Sequence, residues 1–456
     1  MGFHSIGGSS TGPFAEFALG QGRTAEETHG GLPSSSNGRN QPIHVLGAGP
    51  AGLAAALAIV QSGGKAIMID DNPLPGGQIW RGGEEQWRDN RVVKMWRELH
   101  SHPSFTHVRN AQVVGALGPK SLLLEIEGSS ERIVFEKLIL CAGAREVFLP
   151  FPGWTLPGVT GAGGLQALIK GGMSIAGKDV LIGGSGPLLL ATASTAVDAG
   201  ANVVAIIEHK KVSELLHFGL ALAVQHNSKF RQAISLFSKL KGIPYIKGGQ
   251  IVEARGFRKV ESVLIRTGRG SNEFSCDFLA AGFGLTPNTE LAASLGCALT
   301  KHAVLVNNGQ RTSNRHVWAA GECTGIGGVD KALIEGRLAA LDALALSPSR
   351  SDLAQRRSSG AFAEQLRKSF ELDTGLKEMC APKTIVCRCE DVVASDLAEF
   401  SSWRAAKLGT RTGMGPCQGR TCGPACEFLF GWQTEQSKFP IIPATAGTLS
   451  KVGKDD

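Results

Sequence analysis

Four cysteines carry the most specific chemical spacing in the chain: Cys387-Arg-Cys389, then 27 residues, then Cys417-Gln-Gly-Arg-Thr-Cys422. Thiolates are soft metal ligands, and the glycines at Gly409, Gly413, Gly415, Gly419 and Gly423 let backbone N–H groups come close to sulfur. The set predicts a [2Fe-2S] cluster on Cys387, Cys389, Cys417 and Cys422. Zinc and the absence of any metal are the competing readings, zinc being weakened because tetrahedral sites favour C-x2-C over C-x-C. Cys426 reads as a packed neighbour, and Cys141, Cys276, Cys297, Cys323 and Cys380 as small buried hydrophobes. No C-x2-C occurs anywhere, so dithiol chemistry has no support.

A second constellation lies in IHVLGAGPAGLAAALAIVQSGGKAIMIDD, residues 43–71. A short apolar strand runs into Gly47-Ala-Gly49-Pro50-Ala51-Gly52 and on into an alanine-rich helix. In that spacing Gly47 permits the turn, Gly49 bares backbone to a pyrophosphate, and Gly52 lets helix and strand pack closely. The helix N-terminus offers free N–H groups to the phosphates. A second strand, Lys65 to Ile69, ends at Asp70 with Asp71 beside it, about 20 residues past the glycines, where a carboxylate can accept from a ribose diol. The expectation is an adenine-dinucleotide site.

Both sets need a scaffold, and the order of the chain suggests one. The loop from Asn72 to Arg81, with Gly77, Gln78 and Arg81, is expected to run along the cofactor towards its reactive end. Alternation between Val113 and Ile133 predicts hairpin strands, and Lys137 to Arg145 a buried strand that returns beside the first and turns at Gly143. Residues 179–208 repeat the opening logic as strand, Gly184-Ser-Gly186, helix, strand and Glu208. Leu189 stands there where the third glycine belongs, so a second Rossmann-like fold is expected whose nucleotide site, Gly184, Gly186 and Glu208, is the weaker of the two. Thr312 to Glu322 predicts a strand ending in Gly321-Glu322, and Lys331 to Leu344 an amphipathic helix.

The expected architecture is α/β. It comprises a disordered extension over 1–40, a dinucleotide-binding part over 41–150, an inserted second Rossmann-like domain over 151–280 and the return of the first over 281–345. A Ser-rich linker over 346–380, a small cluster module over 381–435 and a tail over 436–456 complete it. With 456 residues, 42% hydrophobic and 19% charged, the composition suits a soluble protein of two or three domains. The net charge of +7 is scattered with no run of five Lys or Arg, which argues against a nucleic-acid partner. No apolar run approaches the roughly 18 residues of a membrane span, and no leader is recognisable. Ten cysteines then read as reduced thiols of the cytoplasm, leaving only peripheral association with the inner membrane through an electron acceptor.

The segments GAGPAG, PLPGGQIWR, GWTLPGVTGAGGLQ, GSGPLLL, AAGECTGIGG, CRCEDV and GMGPCQGRTCGP together resemble the A-type flavoprotein component of bacterial opine oxidases. That pattern is similar to the homologous subunit of hydrogen cyanide synthase and to the alpha subunits of proline, hydroxyproline and sarcosine dehydrogenases or oxidases. The resemblance implies a two-dinucleotide-binding flavoprotein fold with a C-terminal module similar to bacterioferritin-associated ferredoxin. It implies FAD on the first glycine loop, with Gly321 and Glu322 near its ribityl or pyrophosphate portion, Glu322 being one methylene longer than the usual Asp. Gly143 and Arg145 follow a strand that resembles the ATG-type motif, with Cys141 and Ala142 replacing Ala and Thr. It further implies FMN at a subunit interface and a second, B-type flavoprotein, which oxidises an opine or related secondary amine or amino acid while this chain relays electrons. No acid–base pair or activated nucleophile is legible, so catalytic residues stay unassigned. Two rival readings are a self-sufficient NAD(P)H-dependent FAD oxidoreductase and an assembly subunit that holds ATP or another adenine nucleotide structurally.

Overall fold

The computed structural model describes residues 41–434 and 438–452, so the extension expected over 1–40 lies outside the described residues. Ile43–Leu46 is the middle strand of a five-stranded sheet in the order Val317–Ala319, Leu138–Leu140, Ile43–Leu46, Ala66–Ile69, Phe105–Val108. Every pairing in it is parallel. Strands covered on both faces have no polar side to show, which is why AIMI and LIL are unbroken apolar runs.

Helix Pro50–Gln61 covers one face and buries Leu53, Ile59 and a row of alanines. Against it lies helix Gly328–Ala343, which begins earlier than the pattern suggests and is buried around most of its girth rather than on one stripe. Its Gly336 sits so close that a Cβ would collide with the backbone of Ala51. Two helices can approach this far only with small residues at the contact.

The second sheet runs in the order Tyr245–Lys247, Asn202–Glu208, Asp179–Gly184, Phe278–Gly282, Val159–Gly161, again parallel throughout. Ala144–Glu146 and Leu285–Pro287 pair antiparallel where the chain passes between the two folds. The hairpin expected near 113–133 is a three-stranded meander of Ala111–Gly118, Ser121–Ile126 and Ser129–Val134. Among the described residues no helix is long and apolar enough to cross a membrane.

Two stretches differ from the sequence expectation. The Ser-rich stretch within 346–380 is helix Arg350–Ser369, followed by a 3-10 turn Thr374–Met379. Ser349 starts the helix with a capping box: its Oγ accepts from the Asp352 N–H at 3.1 Å, and the Asp352 carboxylate accepts from the Ser349 N–H at 3.0 Å. The serines read as linker because little of this helix is buried beyond Asp352, Ser359 and Ala363. The tail, in turn, folds back on the meander, with Ile441 buried and its N–H donating to the Val114 carbonyl at 2.9 Å.

His44 is the polar intruder on the central strand: it is 7% exposed, its Nδ1 has no partner, and burial lowers its pKa to about 4. The unfolded chain takes up this proton near the ordinary value of 6.5 while the folded chain resists until about 4, so stability is lost as pH falls through that window. His44→Leu is expected to flatten the acid side of the stability profile, by up to about 3 kcal/mol between the two values. Urea denaturation at stepped pH measures this, and profiles that stay parallel would refute it. Gly336→Ala is expected to destabilise by about 1–3 kcal/mol through overpacking, although the same change in an exposed helix would stabilise. Chemical denaturation of the variant decides the sign.

Candidate functional site

The first glycine loop is held open from three sides. Gly47 takes φ 104°, and any side chain there would collide with the Cys141 carbonyl of the neighbouring strand. Gly49 is the N-cap of helix Pro50–Gln61 without any side-chain cap, and Pro50 occupies its first position. The first-turn N–H groups, including those of Ala51 and Gly52, are therefore left for an anion. Gly76 N–H donates to the Ala48 carbonyl at 2.8 Å, and the adjacent Gly77 backbone faces Gly49. Gln78 is exposed, whereas Arg81 Nε is buried with no partner, a donor that a bound anionic group would satisfy.

Asp70 does more than wait for a ribose. Its carboxylate accepts from the Ala48 N–H at 2.5 Å and the Asn72 N–H at 2.8 Å, bracing the loop from behind. Asp71 is exposed beside it, and its carboxylate accepts from Asn72 Nδ2 at 2.5 Å.

Gly321 and Glu322 are brought to the same end of the sheet, since Gly321 packs against the Ala51 side chain. Gly321 N–H donates to Glu335 Oε2 at 3.0 Å, and Lys331 Nζ donates to the same oxygen at 2.8 Å and to the Gly321 carbonyl at 3.2 Å. Lys331 and Glu335 are 8% and 7% exposed. The sequence reading missed this pair; its signal was a lysine and a glutamate four residues apart within Gly328–Ala343. Glu322 accepts from the Gly328 N–H at 3.3 Å, and burial pushes its carboxyl up.

Arg145 is held by protein partners. Its guanidinium pairs with Glu290 at 2.7 Å, donates to Asn288 Oδ1 at 2.8 Å, and reaches the Arg420 carbonyl at 3.3 Å inside the cysteine loop. The strand after the Gly143 turn thus meets the backbone of the cysteine loop. Trp154 Nε1 makes a second tie, to the Ile385 carbonyl at 2.6 Å.

The four cysteines do come together. Cys387 contacts Cys422, Cys422 contacts Cys417, and Cys417 contacts Cys389, which is exposed. The Cys422 thiol draws Cys387 down to about 6 and Cys417 to about 4, and is itself pushed far up. Backbone N–H groups of Gly413, Glu390 and Cys389 reach Cys387, and those of Thr421 and Gly419 reach Cys417. The thiols are free and touch in sequence, and among the described residues no group of three or more His, Cys, Asp or Glu is arranged to hold a metal ion. The donor set is assembled but drawn inward. Cys426 is fully buried nearby, as expected of a packed neighbour.

The second glycine loop repeats the first. Glu208 Oε2 accepts from the Gly186 N–H and Oε1 from the Lys210 N–H, each at 2.9 Å, so one extra methylene carries the brace one residue further than Asp70 does. Gly184 packs against the Gly282 backbone as Gly47 does against Cys141. Leu189, in place of the third glycine, is buried in the core of this fold.

Glu335→Ala should leave Lys331 buried without its counter-charge and cost about 3–5 kcal/mol, while a Lys331→Met/Glu335→Leu double variant costs much less. Denaturation curves of both variants test it; equal losses would mean that the ion pair is not what matters.

A family model, pyridine nucleotide-disulphide oxidoreductase, matches residues 41–340. Hydrogen cyanide synthase subunit HcnB of Pseudomonas protegens is 32% identical over 84% of this chain and 90% of its own length. The A-type component of opine oxidase from Rhizobium meliloti is 31% identical over 83% of this chain and 90% of its own. Among solved structures, L-proline dehydrogenase from P. horikoshii aligns with a TM-score of 0.63 at 18% identity, covering 90% of this chain and 79% of that one, and shares the fold. The disulphide of the family description has no counterpart in this chain, where all ten cysteines are free. The chain belongs to the pyridine nucleotide-disulphide oxidoreductase family, as a homologue of HcnB and of the A-type component of opine oxidase.

Proposed function

We propose that this oxidoreductase is the electron-handling subunit of a heteromeric enzyme that oxidises an opine or a related secondary amine or amino acid. The observation that carries the reading is the tie between its two redox-type sites. Arg145, just past the Gly143 turn of the first fold, holds the backbone of the cysteine loop at Arg420. Two centres in one body, one of them reaching the surface at Cys389, suit a relay.

FAD fits the first site by its uncapped helix start and the unpartnered Arg81 Nε. Gly47, Gly49, Pro50, Ala51 and Gly52 would receive its pyrophosphate, with Gly77, Gln78 and Arg81 alongside. Asp70 and Asp71 would sit at the ribose end, and Gly321 and Glu322 at the middle. When bound, FAD supplies exchange between two-electron and one-electron steps, which no amino-acid side chain offers. A [2Fe-2S] cluster fits the other site by donor chemistry: four thiols in a chain of contacts, Cys387 to Cys422 to Cys417 to Cys389, with backbone N–H groups aimed at sulfur. The chain's own part is to bind, orient and space these groups. Lys331 and Glu335 keep the Gly321 turn rigid, and Trp403 packs under Gly413 and Gly419 to shape the thiol loop.

Substrate oxidation is assigned to a B-type flavoprotein partner, with FMN at the shared interface and a separate electron acceptor, in the cytoplasm. Relatives named as subunits support this. Denaturing the purified chain is expected to release FAD, with about two iron and two sulfide per chain. Cys387→Ser should remove the metal while leaving the nucleotide. Release of ATP alone would favour a structural nucleotide instead. The isolated chain should not oxidise opines, and turnover at the rate of the complex would defeat the relay reading.

A further inference from the structure

Residues 349–379 are a strap across the second glycine loop. Helix Arg350–Ser369 packs along Gly328–Ala343 and also meets helix Val212–Gln225. Where it ends, the Phe370 ring stands over Gly186: a Cβ built on that glycine would lie 3.8 Å from ring Cγ and Cδ1. Phe218 of helix Val212–Gln225 holds the ring edge-on, with centroids 4.9 Å apart at 79°. Phe362 anchors the helix further back against His226, at 5.4 Å. Beyond the ring, the Asp373 carboxylate accepts from the Gly375 N–H at 2.7 Å and faces His209, Lys210 and Lys211. Leu376 and Met379, 1% and 3% exposed, then enter the core of the second fold. The strap is pinned on both sides of Phe370.

In a dinucleotide fold the second glycine of the loop is where a pyrophosphate needs bare backbone. Here an aromatic ring stands where a side chain on that glycine would just touch it. The Gly186 N–H is satisfied by Glu208, and the basic residues after the strand face the chain's own Asp373. The first loop differs in what stands at that range: a Cβ on Gly49 would lie 3.9 Å from the Cα of Gly77, backbone with no side chain, in place of a ring. We propose that Phe370 is a built-in plug that closes the second dinucleotide fold to nicotinamide dinucleotides, so that NADH and NADPH are not electron donors to this chain. This rests on the second fold alone and holds whatever the partner or substrate.

Calorimetric titration of the protein as purified with NADH and NADPH is the test. Wild type is expected to show no saturable binding. Phe370→Gly should gain NADH affinity by at least about tenfold, about 1.4 kcal/mol, and adding Gly186→Val should abolish the gain. Saturable NADH binding by wild type that Gly186→Val removes would overturn the proposal without requiring any Phe370 variant to fold. So would a folded Phe370→Gly variant, judged by circular dichroism, that gains nothing.

Discussion

Contact of backbone with backbone between helices Pro50–Gln61 and Gly328–Ala343 is what the first site depends on. Dispersion forces fall off steeply with distance, so two helices meeting over Ala51 and Gly336 gain most from having almost no side chain between them. That approach also sets Gly321 against Ala51, which delivers a turn from late in the chain to the start of the first helix. Lys331 and Glu335 then hold the turn by hydrogen bonds that only a buried, mutually neutralised pair can sustain there.

The same plan appears twice with different outcomes. Asp70 and Glu208 each end a buried strand, and each commits its carboxylate to the N–H groups of its own glycine loop. A charged group at that depth is tolerable because the loop donors satisfy it. What separates the two folds is what lies in front of the loop: glycine backbone at Gly77 in one, the ring of Phe370 in the other. A family described by its pyridine nucleotide thus includes a chain whose second fold is covered by its own strap.

The cysteine module is joined to both folds by directional contacts. Arg145 and Trp154 both donate to carbonyls of the cysteine module, at Arg420 and Ile385, so the attachment is specific in register. The Arg145 bond is charge-assisted, and it favours one docking geometry over near neighbours.

The sequence by itself determined the local devices. Both glycine loops, the acids that follow them, the two parallel sheets and the clustering of four thiols were legible because each depends on a short period or spacing. Leu189 already marked the second fold as different. Tertiary structure alone decided how these devices meet. Arg145, expected beside a cofactor, also bridges to Arg420, and the linker expected over 346–380 contains helix Arg350–Ser369, which runs as a strap to Phe370. Phe370 over Gly186 and Lys331 with Glu335 under Gly321 left almost no sequence signal. The reason is physical: a glycine turn or a strand is written in neighbouring residues, whereas a plug, a brace or a docking bond is a property of pairs that become neighbours only after the chain has folded.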